Sequence, residues 1–229
     1  MKLGYKRIMN KLIVVRAGRT AWQDQDRIQG IVSLPLTDQG KRGLDIIAQT
    51  LSMTDATQLY SSGNESSGET ARYLANKCTL KTAINTNFKE FNFGSWQGLQ
   101  VAEVKHRYAR AWKMWRKEPT AICPPNGESL TVAYQRVHIA LNEVFSKNND
   151  CTIVIVAAEM VAALIQCIMT EQPLSKFWAI FETHPEIQQY ELLHMANSLV
   201  QIDTLAAQPR IHNQTEIAQK PTSTVMQYQ

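Results

Sequence analysis

Leu12-Ile13-Val14-Val15 is an unbroken apolar run, mostly β-branched, closed by Arg16 and Gly18. Branched side chains fit the pleat of a strand, and a run without polar alternation fits a strand covered on both faces. Strands of that kind belong to parallel sheets sandwiched between helices. A second such run fills residues 152–157, Thr-Ile-Val-Ile-Val-Ala, after a turn at residues 148–150. The two runs set the expectation for everything around them.

Working outward from the first run, a loop with Pro35 leads to Thr37, which can cap a helix with Leu44, Ile47, Ala48 and Leu51 on one face. Residues 58–61 read as a strand and residues 69–76 as a helix, and Ile84 sits in a short third strand before the loop that carries Glu90. Val101, Val104, Tyr108, Trp112 and Trp115 follow spacings of three and four, so the pattern predicts one amphipathic helix that ends at Pro119. A breaker-rich loop at residues 123–127 precedes a helix from Ser129 with Leu130, Ala133, Val137, Ala140, Leu141 and Val144 on one side. Val161, Leu164, Ile165 and Ile168 mark the helix after the second run, and residues 191–195 and 198–205 close the order as strands. Alternating strands and helices predict an α/β three-layer sandwich: a mainly parallel central sheet with helices on both faces.

At 229 residues, with 44% hydrophobic and 19% charged residues, the chain suits one globular domain over residues 1–216. Residues 217–229 hold too little apolar material to pack and are expected as a flexible tail. The net charge of +4 is mild, and the basic cluster at residues 105–117 falls on the wet face of the amphipathic helix, so no nucleic-acid partner is expected. Cys78, Cys123, Cys151 and Cys167 are widely spaced and match neither a zinc site nor a disulfide framework, which points to reduced thiols in a cytoplasm and no metal. Residues 12–15 are too short for the apolar region of a signal peptide, and the tract 153–168 is interrupted by Glu159 and falls short of a membrane span.

In an open α/β sheet, ligands sit beyond the carboxyl ends of the strands, so residues 16–20 and 157–160 are where chemistry is expected. Leu12-Ile-Val-Val-Arg-Ala-Gly-Arg-Thr-Ala-Trp22, with Arg27-Ile-Gln-Gly30 and Pro35-Leu-Thr37, resembles the opening of the histidine phosphatase (phosphoglycerate mutase-like) superfamily. Further matches follow in order: Tyr60-Ser-Ser62 with Thr70-Ala71, Glu90-Phe-Asn-Phe-Gly94 with Trp96-Gln-Gly98, Pro125-Asn-Gly-Glu-Ser-Leu130, and Asn197-Ser198. Each is weak alone, but together they span about residues 11–215 and are specific.

The resemblance implies a phosphoglycerate mutase-like fold and a phosphate pocket, and it implies that this pocket has degenerated. The family's nucleophilic histidine follows the first arginine, here Arg16, and that position holds Ala17, beside Gly18. The second phosphate-clamping arginine falls at Ser66 and the second histidine at Ala158. Glu159 stands where glycine is usual, Gln23 where asparagine is common, and Arg19 where an acid often follows the glycine. Of the central set, Arg16 and the proton donor Glu90 remain. The expectation is a pseudoenzyme that needs no cofactor and binds a protein partner, a second copy of itself or a small anionic ligand. Its rivals are a hydrolase of altered mechanism and a residual anion binder.

Plainer uses stand beside these. Arg16 can pair with Glu159 or Glu90, Arg19 or Arg72 can replace the missing clamp, and Cys123 can serve as a substitute nucleophile only with a depressed pKa. No motif places His106, His138, His184, His194 or His212 at the phosphate site, and Trp96, Trp112, Trp115 and Trp178 read as packing anchors.

Overall fold

The computed structural model describes residues 7–195, with side chains described over 10–192. Its strands are β1 (Arg7–Arg16), β2 (Ala56–Ser61), β3 (Lys81–Ile84), β4 (Thr152–Ala157) and β5 (Ile187–Met195). The helices are α1 (Ala21–Asp24), α2 (Asp38–Ser52), α3 (Glu65–Cys78), α4 (Val101–Arg107), α5 (Ala109–Lys117), α6 (Leu130–Lys147), α7 (Glu159–Met169) and α8 (Phe177–Thr183). The sheet order is β3-β2-β4-β1-β5. The two apolar runs thus lie side by side at its centre, parallel, with Leu12 opposite Ile153 and Arg16 opposite Ala157. Among the described strands only β5, at the edge beside β1, runs antiparallel.

The order also distributes the helices. Connections β1 to β2 and β2 to β3 move one way along the sheet and β3 to β4 moves back, so right-handed crossovers put α2 and α3 on one face and α6 on the other. Accordingly α2 packs on α3 and α6 on α7. Alternate residues of the central strands serve alternate faces: Ile13, Val15, Val154 and Val156 join Leu44, Ile47, Leu51 and Leu74 in one core cluster. Residues of β4 are buried throughout. The fold expected from the sequence is the fold observed, and no helix among the described residues is long and apolar enough to cross a membrane.

Helix starts follow their caps. Thr37 Oγ1 accepts the Gly40 N–H at 3.1 Å, Asn64 Oδ1 accepts the Ser67 N–H at 3.0 Å, and Ser129 Oγ accepts the Val132 N–H at 3.2 Å. The Asn64 cap corrects one expectation: α3 begins at Glu65, not near residue 69, because Ser66, Ser67 and Gly68 are weak helix formers that a cap recruits into the first turn. The single helix expected over 101–115 is two, broken at Tyr108 (φ −120°, ψ 35°), whose ring sits 5.8 Å from that of Trp96. Tertiary packing of aromatics overrides the helical period there. The last strand starts at Ile187, earlier than expected; residues 198–205, the pair Asn197-Ser198 and the tail lie outside the described residues.

One turn holds the Glu90 loop in place. Gly94 has φ +51°, and a Cβ there would lie 2.1 Å from the Pro125 carbonyl oxygen and 2.5 Å from Gly127 N. Backbone cannot yield as a side chain would, so Gly94→Ala is expected to lower stability by about 2 kcal/mol in urea unfolding. An unchanged midpoint would mean that the two loops are not in contact.

Candidate active site

Ala17 and Ala158 extend from the ends of the neighbouring parallel strands β1 and β4, and the Ala17 N–H donates to the Ala157 carbonyl at 2.8 Å. They enter one cavity of about 410 Å³, at the carboxyl end of the sheet. Gly18, Gln23, Ser66, Glu90 and Glu159 line it too. Ala17, Gly18, Gln23, Ser66, Glu90, Ala158 and Glu159 therefore meet at this cavity, whereas Arg16 and Arg19 do not line it.

Arg16 is turned to other partners. Its guanidinium lies 3.9 Å from Glu159 and 3.6 Å from Glu186, so two carboxylates draw it aside; Glu90 is not a partner. Arg19 does not replace the clamp: its Nε donates to Asp24 at 2.8 Å, and that hydrogen bond raises its pKa. Arg72 is exposed on α3. Ser66, 3% exposed in the first turn of α3, offers a hydroxyl and no charge. Gln23 turns back to accept the Thr20 N–H at 2.9 Å, closing a capping box.

Glu90 is the most perturbed group here. It is 7% exposed, with Oε1 accepting the Phe91 N–H at 2.6 Å and Oε2 accepting the Met160 N–H at 3.0 Å at the start of α7. Burial raises its pKa from 4.5 to about 7, and the negative charge of Glu159 adds to the rise. The two N–H bonds and Arg136 oppose it without prevailing.

Arg136 went unnoticed in the sequence and shapes the site. From α6 it donates to the carbonyls of Asn87 and Lys89, each at 2.7 Å, and of Glu90 at 3.2 Å. Its other donors hold Glu128 at 3.0 and 2.7 Å, a nearly buried pair with both side chains 11% exposed. Glu128 in turn accepts the Asn92 N–H at 2.8 Å, so the loop carrying Glu90 is tied at several points.

The far wall is aromatic. Phe93, Trp112, Trp115, Trp178 and Phe181 line it, from the Glu90 loop, α5 and α8. Trp115 and Trp178 meet edge to face at 4.6 Å, and Trp178 Nε1 donates to the Trp115 carbonyl at 2.9 Å. The tryptophans do anchor packing, and Trp112, Trp115 and Trp178 also face the cavity. The helix α8 was missed because one short amphipathic turn, Phe177-Trp178 with Phe181, gives little period to detect.

Among the described residues no histidine lines the cavity. His106 is exposed on α4, and burial lowers the pKa of His138 on α6. His184 is buried, and its Nδ1 donates to the Phe181 carbonyl at 2.8 Å; burial lowers its pKa, and Arg16 lowers it further. The side chains of His194 and His212 lie outside the described ones. Cys123 does not line the cavity, and burial together with Glu128 raises its pKa, the reverse of an activated thiol.

Over 187 residues the chain is 30% identical to phosphoserine phosphatase 1 of Hydrogenobacter thermophilus, covering 82% of this chain and 87% of that one. Its fold is similar to that of YhfR of Bacillus stearothermophilus, with TM-score 0.70, 22% identity and coverage of 74% and 84% of the two chains. The mycobacterial glucosyl-3-phosphoglycerate phosphatase Rv2419c gives TM-score 0.68 at 23% identity, covering 75% and 84%. The sequence pattern of branch 1 of the histidine phosphatases matches residues 12–203. The chain belongs to the histidine phosphatase superfamily.

Proposed function

We propose that this family member is catalytically silent and works as a binding or regulatory protein that kept the fold. The carrying observation is that two methyl groups, Ala17 and Ala158, stand at the adjacent strand ends where the family's resemblance puts its imidazoles. A methyl group can neither attack phosphorus nor hold a phosphoryl group. Ser66 replaces a clamp, and losing one preorganised donor typically removes about 3 kcal/mol of transition-state stabilisation. Glu159 adds negative charge where a dianion would sit. The cysteines, free among the described residues, fit a cytoplasmic setting.

The second reading is a hydrolase of altered mechanism. It draws on Glu90, whose pKa of about 7 suits a general acid or base, and on relatives that are phosphatases by name. Assay of the purified chain on p-nitrophenyl phosphate, phosphoserine and glucosyl-3-phosphoglycerate separates the two. No turnover above the buffer rate is expected. Turnover that Glu90→Gln abolishes would establish the second reading.

A further inference from the structure

We infer that the cavity binds a small organic ammonium, seated on the carboxylates of Glu90 and Glu159 with its body against the rings of Trp112, Trp178 and Phe181. The inference rests on the reading that no phosphoryl group is handled here, and it names the ligand class of that same site.

The backbone donors at the strand ends are already in use. Gly18 N donates to Thr70 Oγ1 at 2.9 Å, Ala17 N to the Ala157 carbonyl, and Met160 N to Glu90. Two of the three cationic lining groups among the described residues are engaged as well. Arg116 pairs with Glu182, and Arg27 Nη1 donates to the Gly98 carbonyl at 2.7 Å. Lys105 lies over the Trp112 ring, 5.7 Å from its centroid.

Acceptors, in contrast, are open. An ionised carboxylate has about four acceptor positions, and Glu90 uses one on each oxygen. Glu159 is paired only loosely, because 3.9 Å to Arg16 is beyond hydrogen-bond reach. On the wall, Lys105 lies over the Trp112 ring and the Arg116 guanidinium sits 4.4 Å from the Trp178 ring centroid, so the remaining ring surface is left to pack the ligand's apolar body. A bare metal ion is a poorer fit, since no three metal-ligating side chains gather among the described residues and rings do not ligate hard cations. A volume of about 410 Å³ suits a small molecule with an apolar body.

The test is calorimetric titration of the full chain at pH 8 with phenethylammonium, phenylacetate and inorganic phosphate. Saturable binding of phenethylammonium is expected, at least about tenfold tighter than either anion, because the hydrogen bonds it makes are charge-assisted. Glu159→Gln, at a partly exposed side chain free of structural hydrogen bonds in the described residues, should weaken it about tenfold at an unchanged melting temperature. Phe181→Leu should weaken it too, through lost packing of the ligand's apolar body on the ring. Anions binding as tightly as the ammonium, no saturation by the ammonium, or unaltered affinity in Glu159→Gln would each overturn the inference. Failure here without phosphatase turnover ends this inference alone, whereas turnover ends the silent-protein reading.

Discussion

Ala17→His, Ser66→Arg, Ala158→His and Glu159→Gly made together are expected to turn the chain into a phosphatase, at least about a thousandfold above the parent's background on p-nitrophenyl phosphate. Positions 17 and 158 leave neighbouring parallel strands, which run about 4.8 Å apart, so two imidazoles placed there enter one cavity from one side. Ser66 lines that cavity from the first turn of α3, and a guanidinium there supplies the missing planar clamp. Removing the Glu159 carboxylate releases Arg16 from its pair on that side and lowers the negative charge that opposes a phosphate. Glu90 is already in place to protonate a leaving group. The measurement is steady-state hydrolysis with an acid-labile phosphohistidine trapped on the protein. A folded quadruple variant that neither turns over nor becomes phosphorylated would mean that this cavity is not the family's phosphate site.

The sequence exposed the part of this molecule that local chemistry decides. Leu12 to Val15 and the run at 152–157 announce buried parallel strands because their side chains leave no wet face, and the site positions follow from the turns that end them. Thr37 and Ser129 announce helix starts because a hydroxyl satisfies an orphan N–H. What stayed hidden depends on contacts between distant segments. Arg136 reads as one polar residue in a helix, and only the loop geometry brings Asn87, Lys89, Glu90 and Glu128 to it. The same holds for Arg16, which the sequence assigned to the pocket and which Glu186, far along the chain, helps pull aside. Trp178 and Phe181 complete the aromatic wall from a helix of seven residues, too short for a periodic signal.

Glu90 gives the largest expected effect on stability. Its proton is held more tightly in the folded chain than in the unfolded one, with a pKa raised from 4.5 to about 7 mainly by burial and further by Glu159, against the pull of Arg136 and two backbone N–H groups. Between those values the native state carries the proton and the unfolded state has lost it, so stability falls as pH rises. The contribution is complete below about pH 4.5 and gone above about pH 7, and at roughly 1.4 kcal/mol per pH unit it amounts to about 3 kcal/mol. Glu90→Gln removes the titration. The difference in urea-unfolding free energy between parent and variant should therefore shift by about 3 kcal/mol in favour of the variant between pH 4.5 and pH 8. Taking the difference cancels the titration of the other carboxylates, which both proteins share. The introduced amide must accept both N–H bonds with a single oxygen, so the variant starts out weaker at low pH, and it is the change with pH that carries the result. Parallel pH profiles would mean that water reaches this carboxylate and that the Glu90 loop does not close over it as the contacts of Arg136 require.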